Sequence, residues 1–349
     1  MSTWLKQQAV NTFLRFLRHE EVVRETDRNL SERAMPPVAL TNLQPSYADL
    51  MKEQAQPAKG RALFITARFR SGSTLLWNLF RTMNGCTAYY APFNERRWFD
   101  PEQRGDRVDA SHRGVNDYWK EYEHLVGLDS LYSESWTKKN LYMGAHAYDH
   151  AMREFITSLI DQAKGTAVLQ FNRVDFRLAW LKAQFPEIPI LHLYRHPRDQ
   201  WLSFLSDKEE MKAERVHETY LDGFYLDTWC KDLARYYPFL DSEITQHPYR
   251  RFYYLWKLSW LHGKRYADAS LAYEDLVARP AEELSRVLEA VDWTTTPNLD
   301  LLARKIEAAS PGGWKSYASD DWFSTHEMAC ERELSTFLDV AYADFSAIQ

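Results

Sequence analysis

The run Ala62-Leu63-Phe64-Ile65-Thr66-Ala67, followed at once by Arg68-Phe69-Arg70-Ser71-Gly72-Ser73-Thr74-Leu75, constrains the fold of this chain more than any other stretch. An uncharged, unbroken apolar run of this length reads as a strand buried on both faces, as in a parallel sheet. Apolar positions then recur at helical spacing through residues 73–83. Parallel strands need a crossover, usually a helix, so a strand feeding a helix through a short turn opens an α/β sheet. Apolar runs at residues 167–171, 190–194 and 269–273 supply three more strand candidates, with helical patterns at 176–185 and 281–291. The expected fold class is α/β, a three-layer core around a mainly parallel sheet. The region 86–150 reads as long loops and short helices over the carboxyl ends of the strands, where open α/β sheets bind ligands. The aromatic segment 249–266 reads as a core helix.

Residues 1–60 form an expected helical N-terminal extension, and 61–349 the main domain. Pro36-Pro37, Pro45 and Pro57 interrupt the extension, which closes on Lys59-Gly60. Within it Val10, Phe13, Leu14 and Leu17 share one helical face. That face suits docking on the main domain or on a partner, including a second copy; the acidic HEEVVRETD segment beside it disfavours an anionic membrane.

Lys and Arg number 43 against 49 Asp and Glu, a net charge of −6, so no basic surface dominates and a nucleic-acid partner is not expected. No transmembrane stretch and no secretory signal is evident. The three cysteines, Cys86, Cys230 and Cys330, have no metal-ligand spacing, and the expected location is the reducing cytoplasm.

The turn after the first strand is suited to an anion. Backbone N–H groups at a helix N-terminus point at the ligand and the helix dipole favours negative charge. Gly72 permits close approach, Ser73 and Thr74 add hydroxyls, and Arg70 adds fixed charge. The plain alternative is a serine-capped helix with a solvent arginine. A kinase or NTP hydrolase would require GxxxxGK[ST], and neither the first Gly nor the Lys is present. No strand ends in an aspartate placed for Mg²⁺. Instead the strand 190–194 runs into Arg195-His196-Pro197-Arg198-Asp199, with Ser203 eight residues after Arg195. Two anion sites at two strand ends equip a chain for a nucleotide with two separate phosphates.

Here the sequence resembles the sulfotransferases that use 3′-phosphoadenosine 5′-phosphosulfate (PAPS). Their 5′-phosphosulfate loop looks like Arg70-Ser71-Gly72-Ser73-Thr74, and their 3′-phosphate motif looks like Arg195 to Ser203. Tyr273-Glu274-Asp275-Leu276 and Gly313-Trp314-Lys315 are similar to the family's YEDL and GDWK stretches. The resemblance spans roughly residues 61–320. It implies a P-loop-like fold, PAPS as donor with PAP as product, no metal, and a small-molecule acceptor sulfated on a hydroxyl or amine. A nucleotide or small-molecule kinase and a non-catalytic PAP-binding protein remain the alternatives. The implied donor-site residues are Arg70, Ser71, Gly72, Ser73, Thr74, Leu75, Arg195 and Ser203, with Arg70 also catalytic.

Several positions depart from the cytosolic branch of that family. Arg70 stands where that branch has Lys, as in carbohydrate and bacterial members. Leu75 replaces its adenine-stacking Trp. Glu307-Ala308-Ala309 replaces the RKG that grips the 3′-phosphate, a role Arg304 and Lys305 are placed to take. Arg173 falls where spacing would put its catalytic His. In Arg-type members a Glu before a Pro is the base, and here that position is Ala91, before Pro92. Glu95, four residues on, becomes the expected catalytic base, with Arg96 and Arg97 keeping it ionised. His146 and His150 are its rivals, and helical spacing would place both on one face.

Overall fold

A computed structural model describes residues 62–106, 108, 109, 112, 115–293, 297–306 and 311–341. The N-terminal helix, the division at residue 60 and Glu307-Ala308-Ala309 lie outside the described residues. Those described belong to one unit of the chain, Gln44–Gln349.

Five strands form one parallel sheet in the order β2-β3-β1-β4-β5. They are β1 (Ala62–Ala67), β2 (Cys86–Tyr90), β3 (Thr166–Phe171), β4 (Ile190–Tyr194) and β5 (Ala269–Ala272). β1 is central and buried along its whole length, with Ile65 set between Gln170 of β3 and Leu191 of β4. The sequence reading missed β2, placing it in the irregular region. Its run Cys-Thr-Ala-Tyr-Tyr is short and mixed, and it becomes a strand by pairing with β3 from Cys86↔Thr166 to Tyr90↔Gln170. β5 ends one residue earlier than expected, because Tyr273 already starts a helix.

From β1 the chain moves outward to β2, and from β4 it moves outward to β5 on the other side. The connections leaving the neighbouring strands β1 and β4 therefore run in opposite directions from their carboxyl ends, the switch point where doubly wound sheets open a ligand crevice. Helix α1 (Ser73–Arg81) follows β1; α2 (His150–Asp161) precedes β3; α3 (Leu178–Gln184) links β3 to β4; α4 (Pro197–Phe204) follows β4. Then come α5 (Leu226–Leu233), the long α6 (Pro248–Tyr266), α7 (Tyr273–Ala278), α8 (Pro280–Ala290), α9 (Leu299–Ala303) and α10 (Asp320–Ala341).

Two apolar cores hold these layers. One surrounds the sheet, with Trp77 and Phe80 of α1, Phe155 of α2, Trp180 of α3 and Val287 of α8. The other gathers around α6 and is strongly aromatic: Trp201, Phe204, Trp229, Tyr249, Phe252 and Phe323 are all buried in it. Gly263 of α6 permits that helix to approach β4, since a Cβ there would stand 2.3 Å from the His192 ring. His192 is buried and its pKa is pushed down to about 3 by burial, with Lys264 adding to the shift, so it is a neutral core residue. The aromatic wealth of 86–150 also serves packing: Tyr89, Tyr90, Phe93, Trp98, Tyr118, Tyr122 and Trp136 are buried.

Candidate functional site

The turn between β1 and α1 sits at the crevice between β1 and β4. Arg70 has φ 66° and Gly72 φ 94°, both left-handed, and Gly72 is the N-cap of α1 with no side-chain cap. The serine-capped reading is thus corrected: the cap is a glycine, and the first N–H groups of α1 have no intrahelical acceptor. Ser71 is buried and its hydroxyl donates to the Arg68 carbonyl at 2.7 Å, tightening the turn. Ser73 and Thr74 are buried in the first turn, and Leu75 packs partly buried against the sheet core.

The two arginines of the turn divide the work. Arg68 is buried, donates to Asp175 at 2.8 Å and stacks 5.0 Å over Trp229, so it is structural. Arg70 is partly exposed and crosses the crevice. Its Nε donates to the carbonyl of Ser203 at 2.9 Å and to Ser203 Oγ at 3.0 Å, while Nη1 is 3.8 Å from Asp109. Because Ser203 Oγ accepts there, its own proton can be donated elsewhere. A non-glycine residue in the left-handed region costs about 1–3 kcal/mol unless its surroundings fix it, and such strain clusters at functional sites.

The second basic segment closes on the first. Arg195, just after β4, donates to the Arg70 carbonyl at 3.2 Å and lies 4.7 Å over the Tyr273 ring. Its Nε is buried with no hydrogen-bond partner among the described residues. Tyr273 separates the two loops, since a Cβ on Gly72 would stand 2.4 Å from its ring. Glu274 accepts the backbone N–H of His196 at 3.0 Å. The structure thus brings the sequence motifs together: the YEDL stretch floors the crevice, and Asp199 accepts N–H groups from Gly312 (2.8 Å) and Trp314 (3.1 Å) of the GGWK stretch. Arg198 pairs with Asp320 (2.5 Å) and Glu327 (2.8 Å), fastening α10 to α4. Arg304 and Lys305 are exposed.

Replacing Gly72 tests this packing. Gly72→Ala should destabilise the protein by about 2 kcal/mol from the left-handed φ alone. The collision with Tyr273 adds to that, and a thermal melt should show a midpoint lower by about 4 °C or more.

Glu95 lies in the turn after β2 and is held from two sides. Arg173 Nη2 donates to Oε2 at 2.5 Å and the Tyr225 hydroxyl donates to Oε1 at 2.6 Å. Burial alone would raise its pKa; Arg173 and the Tyr225 hydrogen bond outweigh this and hold the carboxyl below its ordinary value. The expected partners were Arg96 and Arg97, and this is corrected. Those side chains lie over Trp98 and Tyr132 instead. Arg173 lies 4.9 Å over Phe69, the residue before Arg70, so Glu95 is one side chain removed from the anion turn. Phe224 lies 5.7 Å under Arg70, and Tyr225 and Trp229 flank Phe69, giving an aromatic wall.

His146 and His150 do not share a helix face, which corrects that expectation. Asp149 caps α2 through Met152 N–H (2.9 Å), so the helix begins at His150, and His146 sits in the turn before it. Both are exposed. The sequence reading passed over His112. It is partly buried at the anion turn, with Nε2 3.3 Å from Thr74 Oγ1 and Nδ1 2.6 Å from the Tyr118 hydroxyl. No local spacing signals this, because 38 residues separate His112 from Thr74.

A parallel α/β sheet with a glycine-capped turn at its switch point is the frame that holds this site. The chain matches the sulfotransferase family over residues 62–297, more than half its length, and belongs to that family. Two solved structures resemble it at 15% identity. One is the sulfotransferase STF9 from Mycobacterium avium, with 84% of this chain and 80% of that one covered and a TM-score of 0.42. The other is the sulfotransferase domain from the curacin biosynthetic pathway, with 80% and 99% covered and a TM-score of 0.35. No curated protein matches the sequence. Among the described residues no helix is long and apolar enough to cross a membrane.

Proposed function

We propose that this protein transfers a sulfonate group from PAPS to a hydroxyl or amine of a small-molecule acceptor. The observation that carries the reading is the joining of two cationic segments across one crevice, Arg70 to Ser203 and Arg195 to the Arg70 carbonyl. The residues present fit a nucleotide with two phosphates. Arg195 has a buried Nε without a partner among the described residues, and Ser203 has a hydroxyl proton to donate. In this reading Ser71, Gly72, Ser73 and Thr74 cradle the 5′ end, Leu75 packs beside it, and Arg195 with Ser203 holds the 3′-phosphate.

When bound, PAPS supplies an activated sulfur whose bridging oxygen takes up negative charge as its bond breaks. Arg70 and the N–H groups of α1 would stabilise that charge, where preorganised donors act most strongly. Arginine stays protonated, so Arg70 acts by charge and hydrogen bonding and not as an acid. The acceptor forms its bond to sulfur as PAP departs, and Glu95, held ionised, takes the acceptor proton. Phe69, Phe224 and Tyr225 suit an apolar or flat acceptor. A cytoplasmic location belongs to the same reading, supported by three free cysteines.

The test is PAPS turnover with a panel of phenols, alcohols and amines, detected by product mass, with ATP and Mg²⁺ in parallel. Turnover with ATP alone would overturn it. Arg195→Ala should weaken PAP binding by about tenfold to a hundredfold, the loss of a charged hydrogen bond of about 1.5–3 kcal/mol. Binding of adenosine 5′-phosphosulfate, which lacks the 3′-phosphate, should barely change. Equal losses for the two ligands would remove Arg195 from the 3′ site.

A further inference from the structure

We infer that His112 and Tyr90 are positioning residues that fix the hydroxyl proton of Thr74 outward, making Thr74 a committed donor to the anion held by the turn. The inference rests on the donor site proposed above and goes beyond it, because neither residue belongs to the motifs that define that site.

The argument follows the hydrogen atoms. The Tyr118 oxygen accepts the backbone N–H of Asp109 at 3.1 Å, and its phenol pKa is pushed up to about 12 by burial. It is therefore protonated, and since its oxygen already accepts the Asp109 N–H, we take its proton to be directed at His112 Nδ1, 2.6 Å away. Burial lowers the pKa of His112, so the ring is neutral near pH 7. A neutral imidazole that accepts at Nδ1 carries its proton on Nε2. That N–H lies 3.3 Å from Thr74 Oγ1, whereas Asp109 Oδ2, its other polar neighbour among the described residues, is 3.9 Å away and beyond hydrogen-bond reach. Among the described residues, Asp109 and Arg70 are the charged groups acting on the ring, with opposite sign.

Tyr90 reaches the same oxygen from β2, with its hydroxyl 3.1 Å from Thr74 Oγ1. Tyr90 is buried and its pKa is raised by burial, so it too is protonated. Either hydroxyl could donate in this pair; because a buried phenol with no acceptor costs free energy, we take Tyr90 as the donor and Thr74 Oγ1 as the acceptor. Two donors fill the two lone pairs of the Thr74 oxygen. Its own proton then has no acceptor among the described residues and is left for a ligand at the N-terminus of α1. A rotating hydroxyl would lose freedom on binding; this one is already oriented, which is the benefit of preorganisation.

The test is a double-mutant cycle read as PAP affinity by calorimetry, since coupling between contacting groups appears as non-additivity. Thr74→Val should weaken PAP by about tenfold or more, as expected for a hydrogen bond to a charged group. His112→Ala should cost about fivefold by itself and nothing further in the Thr74→Val background. Tyr90→Phe, which keeps the ring, should behave the same way. His112→Gln, whose amide N–H can reach where Nε2–H lies, should recover most of the affinity. Persistence of the His112→Ala and Tyr90→Phe losses in the Thr74→Val background would overturn the inference, as would failure of the glutamine variant to recover affinity. Loss of PAP binding by the unaltered protein would overturn the donor reading and this inference with it. A thermal melt of each variant separates unfolding from loss of orientation.

Discussion

Arg70→Ala should lower kcat by at least about a hundredfold, the usual effect of deleting one preorganised donor to developing charge. PAP affinity should fall much less, because that charge is largest in the transition state. The structure sharpens this expectation. Arg70 is anchored through Nε to Ser203, so its position does not depend on a ligand, and Nη1 extends toward Asp109 at 3.8 Å. Arg70→Lys keeps charge but not the fork that bonds Ser203 through one nitrogen while presenting another. Partial turnover is expected from it, well above that of the alanine variant. A parallel fall of affinity and kcat in Arg70→Ala would reduce Arg70 to an anchor. Single-turnover rates with saturating PAPS decide between the two.

Glu95→Gln should reduce kcat by about a hundredfold or more, since a positioned base contributes about 10²–10⁴. The pH profile carries more information than the rate. A base must be ionised, and Glu95 is held below its ordinary carboxyl value, so the acidic limb of the unaltered enzyme should lie below about pH 4.5. Removing Arg173 deletes the larger of the influences that lower this pKa and leaves burial, which raises it. Arg173→Met should therefore move the acidic limb upward, toward neutral pH, and Tyr225→Phe should move it less far in the same direction. Isotope-edited NMR titration of the Glu95 carboxyl checks the same shift without turnover. A Glu95→Gln enzyme with near-normal kcat would exclude Glu95. An unmoved limb in Arg173→Met would exclude control by Arg173.

The sequence carried the proposed donor side of this site and little of the proposed acceptor side. Arg70 to Thr74 and Arg195 to Ser203 are contiguous, and each follows a strongly apolar strand, so residue order alone places them at strand ends. Glu95 could be named but not understood. Its partners Arg173 and Tyr225 are 78 and 130 residues away, and nothing local to Glu95 announces either. The neighbouring arginines were the reasonable expectation, and they pack over Trp98 and Tyr132 instead.

What the sequence determined by itself was whatever depends on neighbours in the chain. It set the buried β1, the proline that starts α4, and the absence of a Walker lysine. These follow from hydrophobic runs and backbone preference, which act over a few residues. The tertiary structure decided what depends on distant segments meeting. Pairing with β3 made Cys86–Tyr90 a strand. The meeting of two strand ends joined Arg70 to Ser203. Folding of the 86–150 region over the sheet core brought His112 and Tyr90 to one hydroxyl. The physical reason is that hydrogen bonds and ion pairs are satisfied by whichever groups packing brings within about 3 Å, and packing is a property of the whole sheet and its two cores.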